Sequence, residues 1–342
     1  MERLLVTGGA GFIGANFVRL LSQEADCDIV VLDKLTYAGN LANIQGLVDA
    51  GRVTLHHGDI CDPSMVKKAM DGCDAVVHFA AETHVDRSLT QAGTFVTTDM
   101  YGTFVLLEAA READVGRFLQ ISTDKVYGES EGEDWNEDSP IMPKSPYAAS
   151  KAGADRLAYS YYATFSLPVI ITRCVNNYGP WQHPEKAIPL FTLCGMLGVP
   201  LPVYGTGENR AEWIHVADHC RALLLLLEGQ GWEGRVFNIG TGERRATLQV
   251  AEAVLSALDK PEDLISFVED RPGHVLSHAV DSARLRIETG WAPEHRFEAS
   301  LPAVVQWYAD HVPWWRETVL GTARDYFEAR YPKLLAAAEA LA

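Results

Sequence analysis

Positive charge is scarce in this chain: 29 lysines and arginines face 46 aspartates and glutamates, a formal net charge of −17. So acidic a surface repels polyanions, which excludes a nucleic-acid-binding role but not a small anionic ligand held in a local basic pocket. Long apolar runs are missing as well. The longest, Ala222 to Leu227, is far too short to span a membrane. Met1-Glu2-Arg3 leads straight into an apolar strand, so no secretory signal is expected and the cytoplasm is the expected compartment. The cysteines (Cys27, Cys61, Cys73, Cys174, Cys194, Cys220) show no paired metal-ligand spacing, which points to free cytosolic thiols and to no metal site. Internal repeats, low-complexity tracts and long linkers are absent too. What is present, 342 residues with 47% hydrophobic and 22% charged side chains, suffices for one large globular domain or two moderate ones.

Short apolar segments recur at Arg3–Thr7, Ile29–Asp33, Val53–His56, Ala75–Phe79, Phe118–Ser122 and Val169–Arg173, with helical patterns between them. Strands alternating with helices predict an α/β fold built on a doubly wound parallel (Rossmann) sheet. The acidic piece from Glu129 to Pro146 reads as a loop. After Asn177-Tyr178-Gly179-Pro180 the alternation weakens and prolines punctuate short segments. The expected division is a cofactor-binding domain with the catalytic residues over 1–180 and a smaller mixed α/β substrate-binding region over 181–320. That second region is not strictly contiguous, and a helical tail follows over 321–342.

Gly8-Gly9-Ala10-Gly11-Phe12-Ile13-Gly14 follows the first strand and opens a helix. In that context Gly8, Gly11 and Gly14 allow a tight turn and close approach of a pyrophosphate, which then rests on the helix N-terminus. Asp33 ends the second strand, where a carboxylate accepts hydrogen bonds from both adenosine ribose hydroxyls and repels a 2′-phosphate. NAD is therefore favoured over NADP, and Lys34 weakens that preference without reversing it. Asp59 and Ile60 after the third strand fit adenine contacts, although Asp59 fits an ordinary loop carboxylate as well. Ala80 and Ala81 after the fourth strand would run along the cofactor by their backbone.

Ser122-Thr123-Asp124-Lys125-Val126-Tyr127-Gly128 ends the fifth strand, and Tyr147-Ala148-Ala149-Ser150-Lys151 follows downstream. A tyrosine four residues before a lysine on one helix shares a face with it. The ammonium then lowers the phenol's proton affinity, making Tyr147 usable as a general base with Lys151 beside it.

Taken together, these features resemble the extended short-chain dehydrogenase/reductases, and within them the dTDP-glucose 4,6-dehydratases. Further stretches carry the likeness: Leu32-Asp33-Lys34-Leu35-Thr36-Tyr37-Ala38-Gly39-Asn40, Ala80-Ala81-Glu82-Thr83-His84-Val85-Asp86-Arg87-Ser88, Pro184-Glu185-Lys186-Ala187-Ile188-Pro189 and Arg271-Pro272-Gly273-His274. The resemblance implies a homodimer, packed through helices starting near Thr98 and Ser150, that acts on a nucleoside-diphosphate sugar. It also implies an internal redox cycle on that substrate. Tyr147 takes the 4-hydroxyl proton as hydride leaves C4, Thr123 bonds the 4-oxygen, and Lys151 holds the nicotinamide ribose. Asp124 acts as general acid on the departing 6-hydroxyl.

Those dehydratases carry a glutamate after the aspartate to remove the C5 proton; this chain has Lys125. Dehydratases for CDP-glucose and for UDP-N-acetylglucosamine resemble the Asp-Lys pattern. A lysine is a base only when neutral, so three readings stand: 4,6-dehydration, an epimerase or 5,6-dehydratase through the same 4-ketone, and an NAD-bound scaffold. In the last, Lys125 merely pairs with Asp124. Asp99 stands where the family has asparagine, Ala211 takes the place of an arginine with Arg210 one position early, and Leu276 and Ser277 replace an arginine pair. Arg210, Lys186 and Arg271 remain as candidate phosphate contacts or as solvated surface charges. Asn177, Glu185, Asn238 and His274 are further substrate-side candidates. His84 reads as pocket wall or, more simply, as a hydrogen-bonded structural histidine.

Overall fold

The computed structural model describes residues 1–130 and 132–341; Glu131, within the segment read as a loop, and Ala342, within the tail, lie outside the described residues. The six expected strands form, as β1 (Arg3–Thr7), β2 (Asp28–Asp33), β3 (Val53–His57), β4 (Ala75–His78), β5 (Arg117–Thr123) and β6 (Val169–Cys174). All pair in parallel, β1 lying between β2 and β4, with Thr7 opposite Leu32 on one side and His78 on the other. The strand Val236–Ile239 completes a seven-stranded sheet in the order Val236–Ile239, β6, β5, β4, β1, β2, β3. The order reverses between β1 and β4, and that switch point opens a crevice at the carboxyl ends of the strands.

Alternation along β1 explains why the sheet is buried on both faces. Leu4 and Val6 join one apolar cluster with Phe17 and Val18 of α1 (Phe12–Glu24), while Leu5 joins another with Leu106 and Phe118. The apolar run from Ala222 to Leu227 lies in the helix Val216–Glu228, which packs beside α1. Leu223 and Leu226 are fully buried there, each contributing roughly 1.5–3 kcal/mol by leaving water. The helices Pro63–Met70, Thr103–Glu112 and Pro146–Phe165 cover the opposite face.

A second core gathers the helices Ala187–Leu197, Thr247–Ala257 and Phe297–Asp310 with the C-terminal helices. Phe327, Leu334 and Ala338 are buried in it, so the tail is packed rather than trailing. Above this core the strand Arg210–His215 joins Asn176–Tyr178, Arg244–Ala246 and Ser277–His278 in a small mixed sheet. No helix of the described residues is long and apolar enough to cross a membrane.

Candidate active site

The first glycine turn is built by exclusion. Gly8 adopts a left-handed φ of 70°, and a Cβ there would sit 2.6 Å from the backbone nitrogen of Ala80. Gly11 begins α1 with no side-chain cap, which leaves the helix N-terminus to a ligand. Gly8, Gly11, Phe12, Ile13 and Gly14 line one cleft together with Asp33, Lys34, Asp59, Ile60, Ala80, Ala81, Tyr147 and Lys151. The cleft lies at the switch point. Asp33 is held by backbone N–H groups, accepting from Ala10 at 2.9 Å and from Leu35 at 2.8 Å. Burial pushes its proton affinity up and these two donors work against that rise. Lys34 turns to Asp59, 2.7 Å away, and so leaves the charge of Asp33 unneutralised. The Ser122 hydroxyl, buried on the cleft wall, has no partner among the described residues. An uncapped helix, a held carboxylate and an unpaired hydroxyl suit a dinucleotide.

Thr123 ends β5 and caps the single turn Asp124–Tyr127, accepting from the Lys125 N–H. Its hydroxyl donates to Asp124 Oδ1 at 3.0 Å. The Lys125 ammonium bridges Asp124 Oδ1 at 3.1 Å and Asn176 Oδ1 at 2.7 Å. Ser145 caps the next helix at Ala148, so Tyr147 stands in its first turn with Lys151 one turn on.

Lys151 is not among the groups that shift the Tyr147 phenol in this structure. Lys151 donates to the Ile121 carbonyl at 2.8 Å and faces Asp99, while burial, with Asp99 and Asp124 nearby, pushes Tyr147 upward. The Thr123 hydroxyl pulls the other way, and a position at a helix N-terminus favours the phenolate. Asp99 accepts from the Glu82 N–H at 2.8 Å, and burial pushes its carboxyl up to about 6.

On the substrate side, Glu185 and Lys186 line the far end of the same cleft. Arg87 grips Glu185 Oε2 at 3.0 Å, and Oε1 is buried without a hydrogen bond. Burial opposes the charge of Glu185, but His183, His84, Lys186 and Arg87 together hold it below the ordinary carboxylate range. Lys186 donates to the Thr83 carbonyl and hydroxyl, and burial lowers it to about 8. His84 stands just before the short helix Val85–Ser88 without a side-chain capping bond, its Nδ1 buried with no hydrogen bond; burial lowers it to about 4, so it is neutral at physiological pH. Lys125, Arg271 and His278 line a small neighbouring hollow that Ser145 and Ala148 also border. Arg271 is paired with Asp86 at 2.9 Å, and His274 with Asp270.

Three substrate-side candidates, Asn238, Asn177 and Arg210, line neither hollow. Asn238 is fully buried, accepting from the Tyr127 hydroxyl and donating to the Trp135 and Asp281 carbonyls. Asn177, half-buried, donates to Val175 O and meets His219 Nδ1. Arg210 is an exposed residue of the small sheet, opposite Ala246 and Ser277, and lines neither hollow. Asn176, which the sequence pattern did not single out, accepts from the Lys125 ammonium. Within the strand Asn176–Tyr178 neighbouring side chains face opposite ways, so period-two alternation was the available signal.

Residues 5–303 match the model of the GDP-mannose 4,6 dehydratase family. The chain is 48% identical over 318 residues to the dTDP-glucose 4,6-dehydratase of Streptomyces niveus, covering 92% of this chain and 94% of that one. It is 49% identical to the low-salt glycan biosynthesis protein Agl12 of Haloferax volcanii, over 89% of this chain and 98% of the relative. Among solved structures, the dTDP-glucose 4,6-dehydratase of Streptomyces venezuelae, crystallised with NAD, superposes with a TM-score of 0.90 at 45% identity. That likeness covers 93% of this chain and all of the other.

Proposed function

Because the chain belongs to the GDP-mannose 4,6-dehydratase family and is an NAD-dependent nucleotide-sugar 4,6-dehydratase, we propose that its substrate is dTDP-glucose. We propose further that Asp124 and Lys125 carry out the elimination. The observation behind the second point is the 3.1 Å contact between these side chains, next to Thr123 and beside the Tyr147 helix.

Tyr147 receives the proton of the sugar 4-hydroxyl while Thr123 bonds the 4-oxygen. Bound NAD supplies the hydride acceptor at C4 and the hydride donor at C6, so none is consumed. The resulting 4-ketone acidifies C5. As an ion pair, Asp124 and Lys125 offer neither an acid nor a base. One proton moving from Lys125 Nζ to Asp124 Oδ1 makes both at once: a neutral amine and a carboxylic acid. Lys125 then takes the C5 proton, Asp124 gives its proton to the departing 6-oxygen as water, and the ion pair is restored. C5 regains a proton from Lys125 as C6 is reduced. The proton that Tyr147 collected balances that loss through solvent.

Exposed Val96, Tyr101 and Phe104 on the run from Ala92 to Glu112, with Tyr159 and Phe165 on the helix Pro146–Phe165, offer an apolar face to a second copy of this chain. The site residues, the homodimer and a cytoplasmic setting belong to this same reading.

The test is mass spectrometry after incubation with NAD and dTDP-, UDP-, CDP- or GDP-glucose in heavy water. Loss of water with deuterium at C5, fastest in the dTDP series, is the expected result. Deuterium at C5 with the 6-hydroxyl retained would instead mark an epimerase and sink the elimination scheme.

A further inference from the structure

The family match ends at residue 303, yet a residue beyond it packs against the arginine that holds Glu185 of the cleft wall. Tyr326, on the helix Arg324–Arg330, lays its ring against the Arg87 guanidinium at 4.5 Å. Tyr37 also lies against that guanidinium, at 3.7 Å. In contact with both rings, Arg87 points its Nε and one terminal nitrogen at Glu185 Oε2, at 3.1 and 3.0 Å. The Glu185 side chain is wholly buried, and its other oxygen, on the cleft wall, has no hydrogen bond. Tyr326 also meets the edge of His84 at 5.6 Å, and Arg330 approaches Asp86 at 3.9 Å. Phe327, fully buried, anchors the helix in the second core.

A guanidinium binds a carboxylate in its own plane, so fixing that plane fixes the carboxylate. Two aromatic contacts restrict the orientation of Arg87, and through it that of the Glu185 carboxylate. We infer that the helix Arg324–Arg330 supports the wall of the cleft, with Tyr326 as a positioning residue that aims Glu185 at a substrate hydroxyl through Arg87. This rests on the reading of the cleft as a nucleotide-sugar site.

The test is a double-mutant cycle on the full-length protein with NAD and dTDP-glucose, comparing wild type, Tyr326→Ala, Glu185→Gln and the double variant. Tyr326→Ala is expected to lower kcat/KM about tenfold, with NAD binding measured by fluorescence unchanged. Tyr326→Phe keeps the ring and should restore the wild-type value. Tyr326→Leu keeps bulk without an aromatic face and should share the loss, which separates ring stacking from collapse of the tail. In the double variant the Tyr326 substitution should cost nothing further, since its effect runs through Glu185. Additive losses, or a leucine variant as active as wild type, would overturn the proposal while leaving the dehydratase reading intact. If the wild type dehydrates no hexose, that reading falls instead, and calorimetric Kd values for dTDP-glucose across the same cycle decide the coupling.

Discussion

The Asp99 carboxylate accepts a hydrogen bond from the Ser150 hydroxyl at 2.6 Å, one residue before Lys151 on the same helix. Its other oxygen holds the Glu82 backbone, so a single buried side chain joins the loop after β4 to the helix of Tyr147 and Lys151. The negative charge raises the proton affinity of both Tyr147 and Lys151. In Asp99→Asn that charge is gone and the phenolate is easier to form. The acid limb of the kcat–pH profile should move down by about half a unit to one unit, with NAD affinity unchanged. A profile that stays in place would show that Asp99 is structural only.

The same carboxyl makes stability depend on pH. Its folded value of about 6 lies above that of the unfolded chain, so the native state keeps the proton longer. The stabilisation is complete below about pH 4 and is lost as pH rises through about 6. Melting curves across that window should fall less steeply for Asp99→Asn than for wild type.

Lys125→Met removes the C5 base and leaves C4 oxidation in place. Turnover should drop by about 10²- to 10⁴-fold, while reduced nicotinamide accumulates on the enzyme and is visible at its own absorbance. Deuterium incorporation at C5 should vanish with it. Full turnover in this variant would reassign the base.

Asp33→Asn keeps the shape of the cofactor turn and removes the charge. Loss of charged hydrogen bonds to a ribose should weaken NAD by about 10- to 100-fold and narrow the margin over NADP. Titration of both cofactors against the same variant gives the ratio directly.

Asp155 and Arg173 form an ion pair at 2.8 Å with essentially no exposure on either side chain, tying β6 to the helix of Tyr147. Arg173 also bonds the Tyr127 hydroxyl, which in turn donates to Asn238. Asp155→Ala strands a buried guanidinium and should cost about 3–5 kcal/mol of folding stability, read by chemical denaturation.

Legibility followed the range of the constraint. The glycine turn and Asp33 could be read because local backbone geometry demands them, and the strands because burial on both faces leaves continuous apolar runs. The Tyr147–Lys151 spacing was also local, but the direction of the Lys151 ammonium was not: it depends on the Ile121 carbonyl and on Asp99. Asn238 carries the polar chemistry of a ligand contact, and only the fold reveals that Tyr127, Trp135 and Asp281 use it up. The grip on Glu185 joins residues 37, 87, 185 and 326, which no local pattern connects.

The strand Val236–Ile239 lies against β6, far along the chain from it. A ribosome delivers the N-terminus first, so β1 to β6 emerge while β6 still has a bare edge, a ready template for pairing with another nascent chain. That edge closes only after residue 239 has left the exit tunnel. The moment of greatest aggregation risk is therefore set by the timing of translation, and slow codons before residue 236 would lengthen it.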